Sequence, residues 1–164
     1  TTVSLYLPRE PADGATEDAP ASDPMTLPVG DESILLVEDN PDVLAAALRQ
    51  LRHLGYHVTV ASNGPAALAM FAAGETFDLL FTDMIMPEQM TGSELARAAR
   101  VRQPGLKVLF TTGYAGPLVE DTEWGSDALV LRKPYRKQEL AEKVRTALDR
   151  PDRDGVPARL ASAT

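Results

Sequence analysis

Three carboxylates, one hydroxyl and one ammonium stand where short apolar runs of this sequence give way to polar residues: Glu38, Asp39, Asp83, Thr112 and Lys133. Carboxylates brought within a few ångströms repel one another, and a divalent cation is the usual remedy. Donors that are all oxygen select a hard ion, Mg²⁺ first, held by a few carboxylates and several waters. A carboxylate beside such an ion can act as a nucleophile toward phosphorus. A transferred phosphoryl group then needs charge neutralisation, which Mg²⁺ and Lys133 would supply, and a hydroxyl donor, which Thr112 would supply.

Taken singly, each group has an ordinary reading. Glu38-Asp39 could be loop acids near a helix N-terminus. Asp83 could be a turn acid, Thr112-Gly113 a turn dipeptide, and Lys133 before Pro134 an exposed lysine. Their joint placement carries the weight, so the elements that deliver them come next.

The run Leu79-Leu80-Phe81-Thr82-Asp83 reads as a fully buried strand ending in a carboxylate, and Pro87 rules out a helix running straight through. Ile34-Leu35-Leu36-Val37 delivers Glu38-Asp39 in the same way. Asn40-Pro41 then opens a helix whose inner face is Leu44, Leu48, Leu51 and Leu54, closed by Gly55. Val58-Thr59-Val60 is a strand. Asn63-Gly64-Pro65 starts a helix with Leu68 and Phe71 inward and Gly74 at its end. Gly92 to Arg102 is a helix with Leu95 and Ala99 inward. Val108-Leu109-Phe110 is a strand running into Thr111-Thr112-Gly113. Pro117 to Ser126 alternates as a short helix, Leu129-Val130-Leu131 is a strand ending at Lys133-Pro134, and Lys137 to Arg150 is the last helix.

Strands alternate with helices five times, which predicts an α/β fold: a doubly wound five-stranded parallel sheet, flavodoxin-like, in the order 2-1-3-4-5. Sites on such sheets form beyond the carboxyl ends of the strands. All five candidate groups lie at such ends, so the topology brings them to one rim.

The chain of 164 residues has room for one domain with a real core. A formal net charge of −8 argues against nucleic acid or an anionic membrane as a direct partner. The absence of cysteine excludes disulfide and thiolate chemistry and suits a reducing, cytoplasmic setting. No apolar run is long enough to span a bilayer and no signal peptide is visible. Residues 9–32, rich in Pro, Ala, Gly, Asp and Glu, read as an acidic flexible linker, and 150–164 as a disordered tail.

Val37-Glu38-Asp39-Asn40, Thr82-Asp83-Met84-Ile85-Met86-Pro87, Thr112-Gly113-Tyr114-Ala115 and Lys133-Pro134-Tyr135 together resemble the motifs of a response-regulator receiver domain, over residues 33–149. The resemblance implies that Asp83 is phosphorylated from a histidine of a kinase. It implies that Glu38, Asp39, Asp83 and the backbone carbonyl of Ile85 hold Mg²⁺. It implies too that Thr112 and Lys133 bind the phosphoryl oxygens and that Lys133-Pro134 is a cis peptide.

Two features depart from the usual pattern. Receivers commonly carry an aromatic residue three positions before the lysine, where this chain has Val130. Tyr114 is the ring proposed to move in its place. The loop from Pro87 to Gly92 is one residue longer than in most stand-alone regulators and looks like receivers attached to histidine kinases. Thr1 to Pro8 resembles the final strand of a kinase ATP-binding domain, which points to the C-terminal receiver of a hybrid histidine kinase.

The expected partners are therefore that kinase's dimerisation and phosphotransfer domain and, where the group is relayed rather than drained, a histidine phosphotransfer protein. The isolated chain is expected to be no enzyme beyond its own phosphorylation and dephosphorylation. A doubly wound nucleotide- or flavin-binding module is the alternative. Against it, Glu38-Asp39-Asn40-Pro41 offers no glycine-rich phosphate cradle and its carboxylates would repel a phosphate. An aspartate-nucleophile phosphatase would place Asp-x-Asp after the first strand, a pattern missing here.

Overall fold

The computed structural model describes residues 27–86, 90–113 and 129–151. Nine elements follow in order. They are β1 (Ser33–Val37), α1 (Pro41–His53), β2 (His57–Ala61), α2 (Gly64–Ala72), β3 (Leu79–Asp83), α3 (Gly92–Arg102), β4 (Lys107–Thr112), β5 (Leu129–Arg132) and α4 (Lys137–Asp149). The strands form one parallel sheet in the order β2-β1-β3-β4-β5, the predicted topology. The expected strand 1–8, most of the linker, the helix 117–126 and nearly all of the tail lie outside the described residues.

Alternation along the central strands builds two cores. Leu35, Val37, Leu80, Val108 and Phe110 point to the side covered by α2 and α3. Ile34, Leu36, Leu79, Phe81, Leu109 and Leu131 point to the side covered by α1 and α4. Every residue of β3 is buried, as expected of a strand covered on both faces. The edge strands β2 and β5 are only partly buried.

Local signals set the helix starts. The Asn40 side chain accepts from the amides of Asp42 and Val43, at 3.0 and 3.2 Å, with Pro41 in the first turn. Asn63 caps α2 through the amide of Ala66 at 2.8 Å. Thr91 and Glu94 form a reciprocal capping box on α3. Gly55, at φ 96°, follows α1 in a left-handed conformation that suits glycine.

Two expectations on helix faces shift slightly. On α1, Leu51 and Leu54 are buried, while Leu44 and Leu48 are half-buried at the border of their core. On α2, Phe71 is buried as expected, but Ala67 takes the innermost place and Leu68 stays half-buried. The buried face of α2 runs through Gly64, Ala67 and Phe71 at three- and four-residue steps, which leaves Leu68 at its edge.

Residues 27–32, read in the sequence as the end of the linker, lie against the domain. The amide of Gly30 donates to the carbonyl of Leu54 at 3.1 Å, and the amide of His57 to the carbonyl of Glu32 at 3.0 Å. Glu32 pairs with Arg145 at 2.7 Å, and Leu27 packs on the core beside α1 and α4. Composition suggests a loose segment here because six residues bury little by themselves; partners far along the chain supply the contacts.

Candidate functional site

Among the described residues, the buried polar and charged side chains are Glu38, Thr82, Asp83, Thr111 and Thr112. All lie at the carboxyl ends of β1, β3 and β4. A core seldom tolerates such groups without partners, so their gathering at one rim marks the site. It includes the switch point where chain order reverses between β1 and β3.

Lys133, just beyond β5, reaches over this rim. Its Nζ is 2.6 Å from Oε2 of Glu38 and 2.6 Å from Oδ2 of Asp83. The other oxygen of Asp83 accepts from the amide of Ile85 at 3.0 Å. Glu38, Asp39 and Asp83 each present a carboxylate oxygen, all within 4.8 Å of one another. Glu38 and Asp83 are buried and Asp39 is exposed, so the group opens to solvent on the Asp39 side.

The electrostatics follow from this packing. Burial pushes the Glu38 carboxyl above the usual carboxylate range, against the pull of Lys133, and the charge of Asp83 adds to the rise. Burial pulls Lys133 down, but its hydrogen bonds to Asp83 and Glu38 outweigh this and leave the ammonium above its ordinary value. Tyr135, behind it, is raised by burial. The lysine is thus a fixed positive charge shared by two acids.

Backbone contacts hold the strand ends in step. The amide of Met84 donates to the carbonyl of Thr111 at 2.8 Å, and the amide of Lys133 to the carbonyl of Thr112 at 2.8 Å. Thr112 ends β4 beside Arg132, buried, one residue beyond the partner of Asp83. The peptide Lys133-Pro134 is cis. Val130 is half-buried and packs on the core that holds Phe110. Tyr114 and Pro87 lie outside the described residues. Sequence reasoning missed Thr82, whose hydroxyl donates to the Asp83 carbonyl, and Thr111 and Gly92, which meet the Asp83–Met84 segment through backbone atoms. A glycine opening a helix after a strand-end acid was the one available signal.

The family model for the response regulator receiver domain matches residues 34–145. This chain belongs to the response regulator receiver domain family. It is 41% identical over 116 residues to the response regulator receiver protein CpdR of Brucella abortus, covering 70% of this chain and 95% of that protein. It is 33% identical to the sensor kinase CckA of Brucella abortus over 164 residues, covering 93% of this chain but 17% of the kinase. The response regulator protein TrrA of Thermotoga maritima, in complex with Mg(2+)-BeF, superposes with a TM-score of 0.63 at 30% identity over 71% of this chain and 99% of TrrA. The chain is accordingly a receiver module of two-component signalling, a class that accepts phosphoryl groups from histidine kinases or phosphotransfer proteins. Among the described residues no helix is long and apolar enough to cross a membrane.

Proposed function

We propose that Asp83 is the phosphoacceptor of this receiver, and that Glu38, Asp39, Asp83 and the carbonyl of Ile85 hold a Mg²⁺ ion. The observation that carries the reading is the single ammonium of Lys133 set between the carboxylates of Asp83 and Glu38. Three carboxylates outnumber that cation, and their all-oxygen donor set fits a hard divalent ion. Bound Mg²⁺ neutralises charge on the acids and on the incoming phosphoryl oxygens.

An oxygen of Asp83 attacks phosphorus, the bond from phosphorus to the donor's histidine nitrogen breaks, and the imidazole leaves with the electron pair. The amide of Ile85 orients the Asp83 carboxylate by holding Oδ1. Lys133 is the cation at hand for the phosphoryl oxygens once it releases Asp83, and Thr112 supplies a hydroxyl at the end of the neighbouring strand. The isolated chain does nothing further to phosphorus than take up this group and lose it.

In the same reading the chain is the receiver of a cytoplasmic hybrid histidine kinase, with residues 1–8 from the kinase's ATP-binding domain and 33–149 the receiver. Its donor is the kinase's own phosphotransfer domain, and the phosphoryl group is then relayed to a histidine phosphotransfer protein or drained away. The support is that similarity to CckA runs over 93% of the chain, well past the receiver match at 34–145.

Incubation with acetyl phosphate, with Mg²⁺ and with chelator, followed by intact mass, tests the site. One phosphoryl group should appear only with Mg²⁺ and should vanish in Asp83→Asn. Full labelling of that variant at another residue rejects the assignment.

A further inference from the structure

The carboxyl end of β3 is held from several sides at one peptide, that between Asp83 and Met84. Its nitrogen donates to the carbonyl of Thr111 at 2.8 Å. Its oxygen accepts from the hydroxyl of Thr82 at 3.1 Å. The amide of Gly92 donates to the next carbonyl, that of Met84, at 3.1 Å, which folds the first turn of α3 back over the strand end.

Gly92 is buried in that turn. A methyl group on its Cα would overlap the Asp83 carbonyl oxygen outright and lie 3.0 Å from the Asp83 carbonyl carbon and 3.1 Å from Cα of Met84. All three are backbone atoms and cannot rotate aside. A second contact fixes the connection nearby: Met90 lays its side chain on Gly64, the first residue of α2. A methyl there would meet Sδ of Met90 at 2.9 Å and Cγ at 3.2 Å. That neighbour is flexible and can yield.

Ile85 follows the held peptide by one residue, and its amide reaches back to Asp83. Displacing the peptide therefore moves the Asp83 carboxylate and the Ile85 carbonyl together. We infer that Gly92 is a positioning residue for phosphoryl acceptance: its bare Cα lets α3 rest on the Asp83–Met84 peptide and so sets both oxygens at the spacing the ion and the phosphoryl group require. This inference rests on the reading of Asp83 as phosphoacceptor.

The test compares the parent chain with Gly92→Ala, Gly64→Ala and Gly105→Ala, a control whose added methyl meets nothing within 4 Å. Two quantities are read: the Mg²⁺ concentration that half-saturates the rise in melting temperature, and the rate of labelling by acetyl phosphate at saturating Mg²⁺. Gly92→Ala should raise the half-saturating Mg²⁺ about tenfold or more and slow labelling by a similar factor, as loss of support behind metal ligands and small misplacements of reacting groups commonly do. Gly64→Ala should change both less, and Gly105→Ala neither.

A parent that takes no label overturns the phosphoacceptor reading and this inference with it. A parent that labels beside an equally competent Gly92→Ala overturns this inference alone. Should Gly92→Ala not fold, Thr82→Val frees the same carbonyl from the other side without adding bulk. Weakened Mg²⁺ binding in that variant supports the inference, and parental affinity overturns it.

Discussion

The ammonium of Lys133 stands 2.6 Å from Oδ2 of Asp83, reaching across the end of β4, the strand that separates theirs in the sheet. The same nitrogen holds Glu38 at 2.6 Å, so one cation compensates two buried acids. Removing it leaves both carboxylates at the rim with no ammonium between them. Lys133→Met should cost about 2 kcal/mol of stability in chelator, below the range for fully buried pairs because the lysine keeps contact with solvent. Mg²⁺ should restore much of the loss, and labelling should still fail. Denaturant titrations with and without Mg²⁺ check this, and an unchanged midpoint in chelator counts against it.

Asp39 is the exposed member of the acidic group, while Glu38 and Asp83 share Lys133. Asp39→Ala should weaken Mg²⁺ binding yet raise metal-free stability by relieving repulsion. Mass action sets the scale: a ligand at a hundred times its Kd stabilises by about 2.7 kcal/mol, and the variant should lose most of that gain at the same Mg²⁺ concentration. Melting curves over a Mg²⁺ series read both effects. A metal-free melting temperature equal to the parent's would remove repulsion from the account.

The capping box on α3 carries a pH signature. Glu94 accepts from the Thr91 amide at 2.8 Å and from its hydroxyl at 2.9 Å, and these bonds lower its pKa from the ordinary 4.5. A carboxyl depressed in the folded state contributes stability above its unfolded pKa and loses it as pH falls through the folded one. Glu94→Gln should therefore be less stable than the parent at neutral pH, with the gap closing below about pH 4.5. A gap independent of pH would show that the charge of Glu94 has no part in it.

Ile85 is 48% exposed, two residues beyond the proposed nucleophile. Its side chain can obstruct a water approaching phosphorus but cannot orient one. Slow loss of the aspartyl phosphate follows, and Ile85→Asn should shorten its lifetime. The gain should be severalfold, short of the ~10²-fold or more that a true general base supplies. Decay of the isolated labelled domain in Mg²⁺ measures it, and an unchanged lifetime means that Ile85 does not shield the group.

The segment 27–32 behaves as part of the domain. Gly30 bonds to Leu54, Glu32 to His57 and Arg145, and Leu27 adds to the core. Removing residues 1–32 should cost about 1–2 kcal/mol more than removing 1–26, the worth of one or two hydrogen bonds and a partly exposed ion pair. Arg145→Ala in the longer chain should lose part of that amount. Equal midpoints for the two truncations would place the domain edge at Ser33 after all.

By itself the sequence determined the elements of the described residues, the sheet order and the types of group at the rim. Each rests on information local in the chain: unbroken apolar runs for β1, β3 and β4, asparagine starts for the first two helices, and a strand–helix rhythm that admits few topologies. Glu38, Asp39, Asp83 and Lys133 were legible because parallel strands deliver their carboxyl ends to one edge. Only the tertiary structure decided how these groups meet. Lys133 and Glu38 are 95 positions apart, and nothing near either residue says that one ammonium bridges two acids. Nor does composition show that Gly92 lies on the Asp83 backbone or that Glu32 pairs with Arg145. The physical reason is the same in each case. These contacts lower the free energy only after the sheet and its helices are packed, so their partners are chosen by proximity in space rather than by local preference.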